Sequence, residues 1–536
     1  MGALPAWCTP LVDAGRMQAI DRWAIDQKGV PGVELMERAG TGVARAVDDL
    51  APGAPAVVVC GKGNNGGDGL VVARLLRESG REVEVLCTGA LGDYQGDALV
   101  NLERLPGPAP REHAFADGEA RREADALLGG AGVVVDALLG TGFEGVPRGA
   151  VGEAIAAIEG AGVPVVSVDV ASGVAASSGV VDGPSVKATL TVTFHMAKPG
   201  HWIAPGKWRT GELRTIDIGI PRGALAATAS GDAVAPVGLI EAGVVAELPR
   251  RAPDSTKFVS GQVLVVGGSR GLSGAPRMTS HAAVRSGAGY VIACVPASLQ
   301  ALLAGALTPE VMSRGLPDDD GGLTEDGLRQ VLEAAARGGA LAVGPGLGRS
   351  ERTGALTRAL VRECELPVVL DADGLWPYSE RIDDLAERRA PLVITPHAGE
   401  LGRLLGLPSE EVERERLRHA RAAARAADAV TVLKGDDTIV ALPDGVAVIS
   451  RGATPALASA GTGDVLTGVV AALLAAGAEP LTAAAAGVWL HAEAGRQAAR
   501  HQGVAEGVIA SDVIAALPAA RQRGAALAGD GGDGRG

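Results

Sequence analysis

Short runs of valine, leucine and alanine recur along the chain in two series, each run followed by a stretch with helical spacing. Runs of this kind suit strands buried on both faces of a parallel sheet. The first series predicts strands over residues 56–60, 82–87, 132–138, 164–170 and 190–195, with helices over 70–79 and 151–159 among them. That rhythm predicts a doubly wound α/β sheet covered by helices. The second series predicts strands over 262–267, 290–295, 341–343, 367–370, 392–395 and 429–433. A hairpin turning at Pro443-Asp444-Gly445 and two Ala-rich helices, 464–476 and 483–500, complete it.

The pattern lapses between the series, where Ala, Gly and Pro dominate. Residues 223–252 are expected to be a linker between domains at 1–222 and 253–522, and the Gly- and Asp-rich end, 523–536, to be disordered. A chain of 536 residues is too long for one ordinary core. Its net charge of −14 argues against a nucleic-acid partner, although a local nest of backbone N–H groups still suits a small anion. The five cysteines are widely spaced with no CxxC, which predicts free thiols and a cytoplasmic protein. No secretory leader is visible, and the longest apolar stretch, 465–478, is broken by Thr467, Gly468 and Gly477. It reads as a buried core helix, so no membrane partner is expected. A homo-oligomer is expected.

Two loops carry the chemistry. The first is Gly61-Lys-Gly-Asn-Asn-Gly-Gly-Asp-Gly69, between a strand and a helix. Gly61, Gly63 and Gly66 satisfy G-x-G-x-x-G, although a tight strand-to-helix turn uses the same glycines. Glycine lets backbone N–H groups approach a phosphate, and the helix start adds partial positive charge. No acid marks the end of the next strand, and no Gly-Lys-Ser/Thr follows, so the loop is neither a standard dinucleotide fingerprint nor a Walker A loop. Asp136 and Asp169 stand at strand ends, where each could serve a ligand crevice or simply cap a turn.

The second loop is Ala460-Gly-Thr-Gly-Asp464, which enters an apolar helix. It could be an ordinary N-cap. Its chemical reading is an anion hole of backbone N–H groups, with Asp464 as the base that deprotonates an attacking hydroxyl. His397, alone, would be a strand-end histidine bonded to backbone.

The strings around these loops are more specific. Asn64–Gly69 with Leu70-Val-Val-Ala-Arg-Leu-Leu76, Val134–Gly145, Val165–Gly173 and Lys198-Pro-Gly200 resemble the epimerase domain of the NAD(P)H-hydrate repair family. The 460–464 loop resembles the ribokinase superfamily. Together with Lys434–Thr438, Gly344–Gly348, Asp371–Gly374 and Thr395–Glu400 it resembles that family's dehydratase. The resemblance implies a Rossmann-like front domain followed by a ribokinase-like back domain. The front would interconvert R and S hydrates of NADH and NADPH. The back would dehydrate the S form with ADP, releasing AMP and phosphate.

The resemblance also implies residue roles. Asn64, Asn65, Gly66, Gly67, Asp68 and the loop Gly140, Thr141, Gly142, Phe143, Glu144, Gly145 and Val146 would bind the hydrate, with Asp169 catalytic. Asn65, Asp136 and Ser172 would ligate K+, an ion suited to oxygen donors. In the back domain Ala275, Gly346, His397 and the catalytic Asp464 would line the hydrate site. Lys434, Gly435, Asp436, Asp437, Thr438 and Gly463 would hold ADP, with Mg2+ on its phosphates. Two positions depart from the family pattern. Ala171 stands where Pro is usual, in a loop lacking its usual Asp, and Phe258 replaces a glycine. From the loop chemistry alone, a small-molecule kinase with a regulatory nucleotide-binding front module remains a second reading.

Overall fold

The computed structural model describes residues 3–115, 118–228 and 235–530. The chain divides into two compact units: Pro10–Val234, and Met1–Thr9 together with Ala235–Gly536.

The first unit is a six-stranded sheet, every pairing in it parallel. Its spatial order is Val83–Cys87, Ala56–Cys60, Val133–Ala137, Val165–Val168, Leu190–Phe194, Glu212–Ile216. The four inner strands are buried along their whole length, as their apolar runs require. The chain leaves Ala56–Cys60 toward one edge and returns on its other side at Val133–Ala137. A crevice opens at such a reversal, outside the carboxyl ends of the two strands. Glu212–Ile216 escapes the sequence reading because it is an edge strand with three of five residues half-buried and charged side chains outward.

The second unit carries an eleven-stranded sheet. It is parallel around Gln262–Val266, Ala340–Val343, Val368–Leu370 and Leu392–Ile394. It turns antiparallel where the hairpin pairs Ile439–Ala441 with Val430–Leu433 and Ala447–Ile449. The turn is as expected: Gly445, at φ 93°, donates its N–H to Leu442 at 3.0 Å. The apolar helix Thr462–Ala475 is buried against the sheet. Gly468 is required there, since a Cβ would lie 2.2 Å from the carbonyl of Thr279 on the neighbouring helix Gly274–Arg285. No described helix is long and apolar enough to cross a membrane.

Two expectations change, and one strand is additional. The 223–252 stretch contains the strand Val237–Ile240, which pairs in parallel with Ala447–Ile449, so part of the expected linker belongs to the second sheet. Residues 229–234 lie outside the described residues. The expected tail is helix as far as Asp530, because Arg523 pairs with Glu493 at 3.2 Å and the alanines continue the turn. Its remainder, 531–536, lies outside the described residues. The N-terminal strand Cys8–Leu11, with a Pro inside it, was not legible, yet it adds to the edge of the eleven-stranded sheet.

The glycine loop gives a direct test. A Cβ on Gly66 would lie 1.7 Å from the carbonyl oxygen of Gly61, whereas one on Gly63 meets open space at φ −90°. Gly66→Ala should therefore cost about 1–3 kcal/mol in urea unfolding of the first unit. Gly63→Ala should stay within about 0.5 kcal/mol. Equal effects would show that the loop can shift freely.

Candidate active sites

In the first unit, the crevice at the strand reversal is a cleft of about 770 Å³. The helix Asn64–Glu78 begins at its rim with no side-chain cap, so its first N–H groups face an incoming ligand. The glycines act by close packing more than by unusual backbone angles. A Cβ on Gly61 would sit 2.1 Å from the carbonyl of Leu138, and one on Gly69 would sit 2.5 Å from the Ala137 side chain. Together they bring the two loops of the crevice into contact.

Of the expected hydrate-binding residues, Asn64, Asn65, Asp68, Gly140, Thr141, Gly142, Phe143 and Asp169 line this cleft. Gly66 and Gly67 are buried inside the helix instead, Gly67 against Met36 and Ala98. Glu144, Gly145 and Val146 are exposed and do not line it.

Asp169 is the most constrained group in the cleft. Its backbone is left-handed at φ 66°, which an aspartate adopts only when its surroundings hold it there. Oδ1 accepts from Lys198 Nζ at 2.6 Å and Thr193 Oγ1 at 3.0 Å, while Oδ2 accepts from the Thr141 N–H at 3.1 Å and from the Thr141 hydroxyl. Burial raises this carboxyl, but the Lys198 ammonium and these hydrogen bonds outweigh it and hold it at about 2. His201 accepts the Lys198 N–H at Nδ1, 3.1 Å, leaving Nε2 to donate to the Asp169 carbonyl at 3.0 Å. Burial and the nearby Lys198 push that imidazole down to about 4, so it is neutral.

Two further carboxyl groups share the cleft, Asp21 and Asp68. Burial raises Asp21 to about 6, an effect Asp169 adds to and Lys198 opposes. Asp68 is pushed well above its ordinary value by burial, then by Asp169 and Asp21. Lys198 lies in the Lys198-Pro-Gly200 string but carried no assigned role, and Asp21 carried none either. Lysine is rarely fully buried, and only a partner such as Asp169, unseen in one sequence, accounts for it.

Below this group lies Asp136, fully buried on its strand. It accepts from Ser172 Oγ at 2.5 Å, the Ser172 N–H at 2.9 Å and Ser167 Oγ at 2.8 Å. Burial raises its carboxyl, and only neutral hydrogen-bond donors lower it. Asn65 lies against Gly140, and its buried amide nitrogen has no partner. The altered loop is well packed: Val170, Ala171, Val174, Ala176 and Ala188 form a small apolar cluster, and Ser172 still reaches Asp136.

In the second unit, a cleft of about 520 Å³ opens beside the 460–464 loop. Lys434, Gly435, Asp436, Thr438 and Gly463 line it, with Pro455, Leu457, Leu466 and Val488 forming an apolar wall. Asp437 does not. It is buried and pairs with Arg416 Nε at 3.0 Å, while Arg416 also donates to the Lys434 carbonyl at 3.1 Å. This ion pair holds the loop from behind. His491 lines the cleft and was missed in the sequence, being a lone histidine in an Ala-rich helix.

Asp464 occupies the first turn of the helix Thr462–Ala475. Burial raises its carboxyl to about 7, with Asp371 adding to the shift, Lys434 opposing it and Asp373 adding a little more. Asp371 accepts from Lys434 Nζ at 2.8 Å and Thr467 Oγ1 at 2.7 Å. Burial opposes its ionisation, but Lys434 prevails and holds it below the usual range. A Cβ on Gly463 would lie 3.6 Å from Lys434 Nζ, so the ammonium stands over the start of that helix.

His397 takes the backbone-bonded arrangement: Nδ1 accepts from the N–H groups of Gly399 and Glu400 at 3.0 and 3.3 Å. Its Nε2 lies 3.5 Å from Glu400 Oε1, and the side chain is about half exposed. Gly346, at φ 64°, lies beside Ala275, whose Cβ would be 3.2 Å from a Cβ at Gly346. All five cysteines are buried and unpaired.

Residues 32–200 match the family described as YjeF-related protein N-terminus, and residues 263–519 match NAD(P)H-hydrate dehydratase. The bifunctional NAD(P)H-hydrate repair enzyme of Moorella thermoacetica is 40% identical over 513 residues, covering 95% of this chain and 96% of that one. Its Salinibacter ruber counterpart is 41% identical over 528 residues, covering 96% of each. Among solved structures, an ADP/ATP-dependent NAD(P)H-hydrate dehydratase from Bacillus subtilis, co-crystallised with ATP and Mg2+, is 30% identical with a TM-score of 0.45. It covers 52% of this chain and 96% of that one.

The place of Asp437 generates a test. Asp437→Asn weakens a buried ion pair and should cost about 3–5 kcal/mol in denaturant unfolding of the second unit. The native fraction should bind ADP with unchanged affinity in calorimetry. Lost affinity at unchanged stability would put that side chain in the cleft after all.

Proposed function

This chain belongs to the bifunctional NAD(P)H-hydrate repair enzymes, and we propose that Asp169 and Asp464 carry its epimerase and dehydratase reactions respectively. The membership sets aside the reading of a small-molecule kinase with a regulatory front module. The observation that supports the assignment is a divergence of carboxylate pKa values, among Asp21, Asp68 and Asp169 lining the first cleft and between Asp371 and Asp464 beside the second, because acid–base chemistry near neutrality needs one group charged and another able to exchange a proton.

In the dehydratase, the hydroxyl on C6 of the hydrated ring leaves poorly. It attacks the terminal phosphoryl group of ADP, Asp464 takes its proton, and AMP departs. The ring nitrogen's lone pair then expels phosphate, and loss of a proton from C5 gives NAD(P)H. The apolar wall at Leu457 and Val488 suits adenine, and Lys434 with the N–H groups at Gly463 suits the phosphates. Among the described residues no group of three or more histidine, cysteine, aspartate or glutamate side chains is placed to hold a metal ion. Mg2+ fits as an ion carried on the phosphates, drawn by the field of Asp371, Asp373 and Asp464, where it would neutralise phosphoryl charge.

In the epimerase, Asp169 stays ionised beside the ring, while Asp21, lifted to about 6, and Asp68, raised by burial, are the carboxyl groups better able to exchange a proton. Base and acid thus stand in one cleft for inversion at C6. The hydrate's phosphates suit the N–H groups at Asn64 and Asn65. Asn65, Asp136 and Ser172 suit K+. The buried Asp136 carboxylate receives only neutral donors, and rotating the Asn65 amide would present its oxygen where the nitrogen now lacks a partner. The cation would balance that carboxylate and fix the loops bearing Thr141 and Asp169.

Two outcomes are expected. The dehydratase rate on the S hydrate should rise with pH through about 7 as Asp464 loses its proton, because the base acts only when deprotonated. Asp464→Asn should lower kcat about 10²- to 10⁴-fold. A flat profile between acid and neutral pH would remove Asp464 from the base role. In the second assay, Asp169→Asn should abolish use of the R hydrate while the S hydrate is consumed normally, with recovery of NADH absorbance as readout. Replacing K+ by Na+ should impair the R hydrate alone; equal loss with both epimers would refute the division.

A further inference from the structure

A third cleft, of about 480 Å³, lies in the second unit beside the helix Ala510–Asp530 and shares no lining residue with either active cleft. Its charged lining is all arginine: Arg250, Arg251, Arg285 and Arg521, with no carboxylate among the described residues that line it. The chain as a whole is acidic, at −14, so this cluster does not follow from a generally basic surface.

Arg521 is fixed by donating to the carbonyls of Pro249 at 2.7 Å and Ser286 at 3.1 Å. Arg251 donates to the Gly287 carbonyl at 2.8 Å. Arg250 and Arg285 are exposed at the surface of the same cleft. Burial lowers the pKa of Arg521, and the proximity of Arg251 and Arg250 lowers it further, so the cluster repels itself. The Ser286 hydroxyl in the wall is buried without a partner. Val259, Ala476, Pro518 and Ala525 supply a small apolar surface.

We propose that this cleft binds a ligand bearing a pyrophosphate group, separately from both active sites. Guanidinium forks match phosphoryl oxygens in pairs, and two of the four are already fixed by backbone carbonyls. An anion would relieve the mutual repulsion of the arginines, and the Ser286 hydroxyl adds a donor. The volume is that of an ordinary small-ligand site, and the apolar wall accepts the non-phosphate part.

The test is calorimetric titration of the full chain with inorganic pyrophosphate at constant ionic strength, wild type against the Arg250→Gln, Arg285→Gln double variant. Both replaced side chains are exposed and line neither active cleft. One class of binding should weaken at least about tenfold in the variant, the loss expected for charge-assisted hydrogen bonds. KM for ADP and kcat on the S hydrate should stay unchanged, which separates this site from the nucleotide cleft. Identical isotherms would overturn the proposal. So would citrate binding as tightly as pyrophosphate, because the cleft would then respond to charge and not to phosphate geometry.

Discussion

Each candidate site is organised around a lysine–aspartate pair at the carboxyl ends of parallel strands. Lys198 meets Asp169 at 2.6 Å in the first unit, and Lys434 meets Asp371 at 2.8 Å in the second. Two facts make the pairing consequential. Burial alone would neutralise a carboxylate, so the ammonium is what keeps the aspartate charged. The charged aspartate then opposes ionisation of its neighbours. Burial raises Asp68 and Asp464 first, and Asp169 and Asp371 respectively add to it; Asp21 is raised by burial, with Lys198 opposing more than Asp169 adds. Each ion pair therefore fixes the charge of its own aspartate and, together with burial, shapes the ionisation of the carboxyl groups around it. The catalytic positions are used oppositely: the paired aspartate is the proposed base in the first unit, and its raised neighbour in the second.

The glycines make this arrangement sterically available. At Gly61 and Gly69 the absent Cβ lets the crevice loops touch, and at Gly468 it lets the catalytic helix lie against its neighbour. Positive φ is needed at Gly461, the N-cap of the helix bearing Asp464, where φ is 91°. A glycine-rich string can therefore serve packing at most of its positions and ligand approach at few. In the front loop only Gly63 has open space around it, and it immediately precedes the first helical N–H groups.

Much of the fold was legible because buried parallel strands are written as short apolar runs, as in Ala56–Cys60 and Gln262–Val266. Edge strands were not: Glu212–Ile216 is half exposed, and Cys8–Leu11 contains a proline. Strings found the loops but not which side chain enters the cleft. Asp437 follows Asp436 in one motif, yet the chain turns between them and sends Asp437 to Arg416. Lys198 was visible only as part of a string, because its meaning lies in a partner 29 residues away.

These buried pairs are poor candidates for stabilising the fold. Removing two charges from water costs several kcal/mol per ion, and their attraction repays it only with good geometry and further hydrogen bonds. The structure supplies those bonds: Thr193 and Thr141 to Asp169, Thr467 to Asp371. Each threonine sits on a strand, a strand-end loop or a helix fixed by apolar packing, so the cost falls on the sheets and helices around the site. An apolar replacement of comparable volume would remove that cost, but it would leave Asp464 without the charged neighbour that adds to the effect of burial. The lysine–aspartate pairs are therefore better understood as determinants of carboxylate protonation than as bonds that hold the chain together.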